Sequence, residues 1–138
     1  MARTSKSEPT VRAKLTPTEM SKGVRRFTEL LEQFRTFNPD IVNDIDDAQI
    51  VALKSKAGSV VDRTYPIGTI EHSKLKDLRY VTGYVRLNMN FSTPVGEIRE
   101  SMRRKKRDSI IVIEQVLEDL KEDLADHNAP VTHWKPSQ

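Results

Sequence analysis

A nucleophile, a general base or a ligand set would be the first sign of chemistry in this chain, so the residues able to supply one come first. The histidines are His72, His127 and His133, and there is no cysteine. Disulfides, thiolate nucleophiles and zinc ribbons are thereby excluded. His127 and His133 stand near the C-terminus, and no HExxH motif or histidine pair at helical spacing occurs. Asp44, Asp46 and Asp47 suggest a carboxylate site. An EF-hand loop, however, needs a central glycine and a terminal glutamate, and both are missing. These aspartates read as a solvated linker and a cap for the helix that follows. Ser73 adjoins His72 only in sequence; a catalytic serine needs a positioned base and an oxyanion hole, and Ser73 reads as a helix cap. Helical ribonuclease toxins of the HEPN type carry an arginine about one to two helical turns before a histidine, and none of the three histidines is preceded in that way. Gly23, Gly58, Gly68, Gly83 and Gly96 are scattered, which leaves neither a Walker A loop nor a Rossmann turn. No catalytic, cofactor-binding or metal-binding residue is therefore expected, and the chain reads as non-enzymatic.

Charge is the remaining chemistry. Net charge is only +3, but its placement is uneven. Arg103, Arg104, Lys105, Lys106 and Arg107 form an unbroken basic run, while Glu114, Glu118, Asp119, Glu122, Asp123 and Asp126 make the following segment acidic. The run, with the basic N-terminal tail, could neutralise several phosphates of a nucleic acid. Consecutive charges on a helix point all around it, however, and no aromatic residue interleaves with them, so a solvated helical face is the alternative. Two copies packed antiparallel would instead set basic segment against acidic segment and fix orientation. The apolar residues of the same region, Ile110, Ile113, Leu117, Leu120 and Leu124, would then form a protein interface. Packing of that stripe onto the first helix of the same chain is the competing use.

The elements that must carry these residues are mainly helical. The chain has 138 residues, 31% of them charged and 6% aromatic, which suits one domain of amphipathic helices with aliphatic cores. Residues 1–15 read as a flexible basic tail, 16–127 as a single helical domain and 128–138 as a flexible C-terminal tail. Thr16-Pro17-Thr18-Glu19 has the form of a capping box. Met20, Val24, Phe27, Leu31 and Phe34 follow at spacings of three and four, predicting a helix over 17–36. Asn38-Pro39 ends it. A second helix is expected from Ala48 to Arg63, with Gly58 weakening it by roughly 1 kcal/mol relative to alanine unless a neighbour packs closely there. Pro66 and Gly68 stop it, and a short third helix runs through Leu75 and Leu78. In 84–91, Val85, Leu87, Met89 and Phe91 alternate with polar residues, the period of an extended segment. Thr93-Pro94 opens the last helical region, either one long helix or two joined near Asp108, where basic residues suit a helix end and an aspartate suits the next N-cap. The fold class expected is thus a small bundle of three to five helices with one extended segment. The longest aliphatic run, Ile110 to Ile113, is far below the roughly 20 residues that span a bilayer. No apolar stretch follows the basic N-terminus as in a signal peptide, and a cytoplasmic location is expected.

One stretch has a family likeness. Leu53, Ala57, Val60, Val61, Arg63 and Tyr65 lead through Gly68 into Glu71-His72-Ser73, then Leu75, Leu78 and Tyr80, an extended segment, and DSIIVIEQVLEDLKEDL over 108–124. Residues 50–124 so arranged resemble small helical modules of bacterial antiviral-defence and mobile-element proteins. Where those modules usually carry glycine near the start of the last helix, this chain has Arg107. The resemblance implies an interaction module of a bacterial or phage system, acting with a protein partner or with itself.

Overall fold

The computed structural model describes residues 9–42, 47–81 and 95–128. Among them are four α-helices: α1 (Pro17–Thr36), α2 (Ala48–Thr64), α3 (Ile70–Leu75) and α4 (Val95–Asn128), with 3-10 turns at Pro39–Ile41 and Lys76–Arg79. The chain is a mainly α bundle. The alternating segment 84–91 lies outside the described residues, as do 1–8 and 129–138.

Helix α1 begins where its side chains can replace missing backbone partners. The Thr16 hydroxyl accepts from Glu19 N at 3.1 Å and the Glu19 carboxylate accepts from Thr16 N at 2.8 Å, the reciprocal pairing that satisfies two orphan amides. Its buried face, Met20, Gly23, Phe27, Leu30, Leu31 and Phe34, meets α4 most extensively and α2 next. Gly23 permits that closeness: a Cβ there would stand 3.0 Å from the Thr64 methyl and 3.2 Å from Leu120.

Asp47 caps α2 by accepting from Gln49 N at 2.9 Å. The helix ends before Pro66, and the chain reverses through Gly68, whose φ of +99° favours a residue without Cβ. The cap of α3 is Thr69, not Ser73. Thr69 has the extended backbone a cap requires, and its hydroxyl accepts from His72 N at 3.2 Å while donating to Pro66 O at 2.7 Å. Ser73 lies inside the helix. At Gly58 the Arg79 guanidinium lies 3.6 Å from where a Cβ would sit, an ordinary contact, so no neighbour packs closely enough to require glycine there.

The last helical region is one helix. Helix α4 runs unbroken for 34 residues, about 50 Å at 1.5 Å per residue. Its buried face is Ile98, Met102, Ser109, Ile113, Leu117 and Leu120. No break is needed at Asp108, because the cations before it serve another helix's end. Lys106 Nζ donates to Phe37 O at 2.7 Å, Arg99 Nε to Val42 O at 2.9 Å, and Arg103 Nε meets Asp40 Oδ1 at 3.1 Å. The basic half of α4 thereby satisfies the carbonyls that α1 and its 3-10 turn leave open.

The domain also starts earlier than residue 16. Val11 pairs with Thr69 in an isolated parallel bridge, Ile70 N donates to Val11 O at 2.8 Å, and Ala13 N donates to Glu71 Oε1 at 2.9 Å. Ala13 and Leu15 pack against the core. Residues 11–15 are therefore a strap along α3, held by backbone groups that a reading of side-chain polarity does not weigh.

Candidate interaction surface

The basic run does not present one face. Arg103 is held by Asp40 and by Glu100 at 2.7 Å, which raises the proton affinity of its guanidinium, the hydrogen bond to Asp40 contributing most. Arg104 lies 3.9 Å from Glu100. Lys105 is half-buried, and desolvation lowers its pKa against the opposing pull of Asp77 and Asp108. Lys106 is spent on Phe37 O. Arg107 is exposed, with no ionic partner among the described residues. Only Arg104 and Arg107 remain as a pair of outward cations.

The proposed interface stripe is also divided. Ile113, Leu117 and Leu120 are 0%, 6% and 2% exposed, and Ile110 and Leu124 pack partly buried against the same core. This is a correction to the expectation that these five face a partner: the stripe is covered by α1 of the same chain. The apolar residues of α4 that do meet solvent are Ile111, 60% exposed, Val112, 38% exposed, and Val95 at its start.

Ile111 lies at the middle of an outer stripe. At 100° per residue, Arg104, Arg107, Ile111, Gln115, Glu118 and Glu122 project within about 40° of one another's mean direction, opposite the buried face. The stripe is basic before Ile111 and acidic after it. Sequence reasoning missed Ile111 because Ile110–Ile113 is an unbroken aliphatic run. No more than one or two members of such a run can reach a single core face, and that limit was the available signal.

Two other features lie elsewhere. Val51 and Tyr80, 55% and 48% exposed, flank a shallow apolar hollow with Lys54 and Arg79. Asp62 accepts from His72 Nε2 at 2.8 Å and from Arg79 at 3.0 Å. The hydrogen bond from His72 lowers the Asp62 pKa most, desolvation opposes it, and the hydrogen bond and charge of Arg79 lower it further, for a net depression. This cluster ties α2 to α3 and the turn after it, and no nucleophile joins it. Among the described residues, no group of three or more His, Asp or Glu could hold a metal, and no helix is long and apolar enough to cross a membrane. No family model, curated protein or solved structure matches the chain.

Proposed function

We propose that this protein is a non-catalytic helical interaction module of a bacterial or phage system that self-associates through the outer face of α4. The observation that carries this reading is Ile111, exposed at the centre of a stripe that is basic on one side and acidic on the other. A two-fold axis through Ile111 places Arg104 of one copy opposite Glu118 of the other, twice, because 104 and 118 lie equally far from 111. The axis also sets Glu100 against Glu122, and Arg103, held by Glu100 at 2.7 Å, offsets that repulsion. Charge complementarity fixes the antiparallel orientation, and the isoleucine contact supplies apolar burial.

The size of the face sets the strength. An outer stripe about 27 Å long and about 10 Å wide buries on the order of 500 Å2 in total when paired, below the usual size of stable specific interfaces and compatible only with a transient one. The dimer is therefore of micromolar affinity or weaker, and weakens as salt rises.

Light scattering and sedimentation velocity across a dilution series test this. The expected result is a concentration-dependent dimer that Ile111→Asp abolishes. A strict monomer at high micromolar concentration overturns it. The competing reading is a nucleic-acid-binding accessory protein using the basic run and the N-terminal tail, and it draws on the outward Arg104 and Arg107. Salt-dependent binding to duplex or single-stranded nucleic acid that disappears with Arg104→Gln and Arg107→Gln, in a protein that stays monomeric, would favour it instead.

A further inference from the structure

At the end of the bundle away from the basic run, the N-terminal strap, α3 and the acidic half of α4 border a partly open cavity of about 340 Å3, within the range of small-ligand sites. Leu15, Met20, Leu75 and Val116 give it an apolar lining, and Glu71, Asp119, Glu122 and Asp123 make its wall acidic. Arg12 and Lys74 line it too. Arg12 is drawn to Glu71 at 3.6 Å, and the other Glu71 oxygen receives Ala13 N. Asp119 accepts only the Gln115 amide, while Glu122 and Asp123 have no partner among the described residues.

The acids alone would be a solvated helix end. What distinguishes this place is Tyr65, the C-cap of α2. Tyr65 is 7% exposed, its ring rests against Phe27 with centroids 6.2 Å apart, and it lines the cavity. Its hydroxyl has no hydrogen-bond partner among the described residues and, unlike the sealed Thr64 Oγ1 and Ser109 Oγ, is not closed off from solvent, so it is open to a ligand in the cavity that Tyr65 lines. Burial raises its pKa above the ordinary 10.0, and the charges of Glu71, Asp119 and Asp123 raise it further. The phenol thus stays protonated in a negative field. Asp119 and Asp123, an i,i+4 like-charge pair, also repel one another on the helix. A cation placed between them would relieve that repulsion and give the phenol oxygen a donor.

We propose that this cavity is a binding site for an organic cation, an ammonium or guanidinium on an aliphatic stem, with its head received by Asp119, Asp123 and the Tyr65 hydroxyl and its stem on Leu15, Met20 and Val116. A free diamine and a lysine or arginine side chain of a partner protein share this chemistry. The cavity shares Glu122 with the edge of the outer stripe, but the head-group contacts, Asp119, Asp123 and Tyr65, lie off that stripe, so the site does not depend on self-association.

The test is a nitrogen-15 NMR titration of the full chain with 1,5-diaminopentane, with a short lysine-bearing peptide, and with 1,5-pentanediol as the uncharged control. The expected result is saturable shifts confined to 11–15, 65, 70–75 and 116–123. Asp119→Asn with Asp123→Asn weakens binding about tenfold or more, and Tyr65→Phe weakens it by about three- to tenfold, the range of one lost hydrogen bond. Both variants keep the fold, because the acids are exposed and the phenylalanine ring preserves the Phe27 contact, and the spectrum itself checks this. Saturation by the diamine and not the peptide assigns a small-molecule ligand; tighter binding of the peptide assigns a protein side chain. Absence of saturable shifts with either cation at about 10 mM, equal binding of the diol, or indifference to the aspartate substitutions overturns the proposal.

Discussion

The two halves of α4 carry similar densities of charge and use them in opposite ways. In the basic half, Arg99, Arg103 and Lys106 reach back to Val42, Asp40 and Phe37, so the cations finish the end of another helix. In the acidic half, Glu118, Glu122 and Asp123 are exposed with no partner among the described residues. The difference lies in what each half passes. The first crosses the C-terminus of α1, where carbonyls lack donors and a cation is welcome. The second passes its N-terminal end, where the capping box already satisfies two amides. One sequence feature, a block of like charge, finishes another helix at one end of the rod and is engaged only in part at the other, where Glu114 meets Arg35 of α1 at 2.8 Å and Asp119 accepts from Gln115.

The largest effect expected bears on what the halves share. Ile113 is fully buried near the middle of α4, and Ile113→Ala should cost about 2–5 kcal/mol in chemical denaturation, with one cooperative transition. Two transitions would break α4 into independent halves. Next, Lys106→Met keeps the aliphatic stem but removes the donor to Phe37 O, and should cost about 1–3 kcal/mol because a part-buried carbonyl loses its partner. The matched change Glu122→Gln should stay within about 0.5 kcal/mol. Equal costs would erase the contrast. The smallest effect concerns an acid that is engaged. The Asp62 pKa is depressed below 3.8, so the pairing stabilises the fold above pH 3.8 and that contribution is lost as pH falls through the folded value. Asp62→Asn should flatten this acid limb by less than about 1 kcal/mol, since Asp62 is 44% exposed and solvent screens the pair.

Helix α1 was legible almost residue for residue, because a capping box, a proline and an apolar stripe all act locally. Helix α2 was legible for the same reason, with Asp47 capping it as its position suggested. Continuity at Asp108 was not legible. Local electrostatics favour a break there, and the cations that remove the need for it act on Phe37 and Val42, far away in sequence. The stripe Ile110, Ile113, Leu117, Leu120 and Leu124 was read correctly as apolar, but its periodicity is the same whether the covering helix belongs to this chain or to another. That ambiguity turned attention from Ile111, the residue that solvent meets. Tyr65 gave no signal of its own, since an aromatic residue at a helix end most often packs into a core, as its ring does here.

The strap of residues 11–15 has a kinetic consequence. Its bridge partner Thr69 takes its place only when α2 has ended and the chain has turned at Gly68, so closing Val11 onto Thr69 spans nearly sixty residues by a pair of hydrogen bonds. Contacts of long separation and little burial form late and open first. Amide exchange at Ile70, whose N–H the strap receives, should therefore be far faster than at Leu30 or Ile113, with an opening energy well below that of global unfolding. The end of the bundle that holds the cavity breathes while the rest of the molecule remains shut.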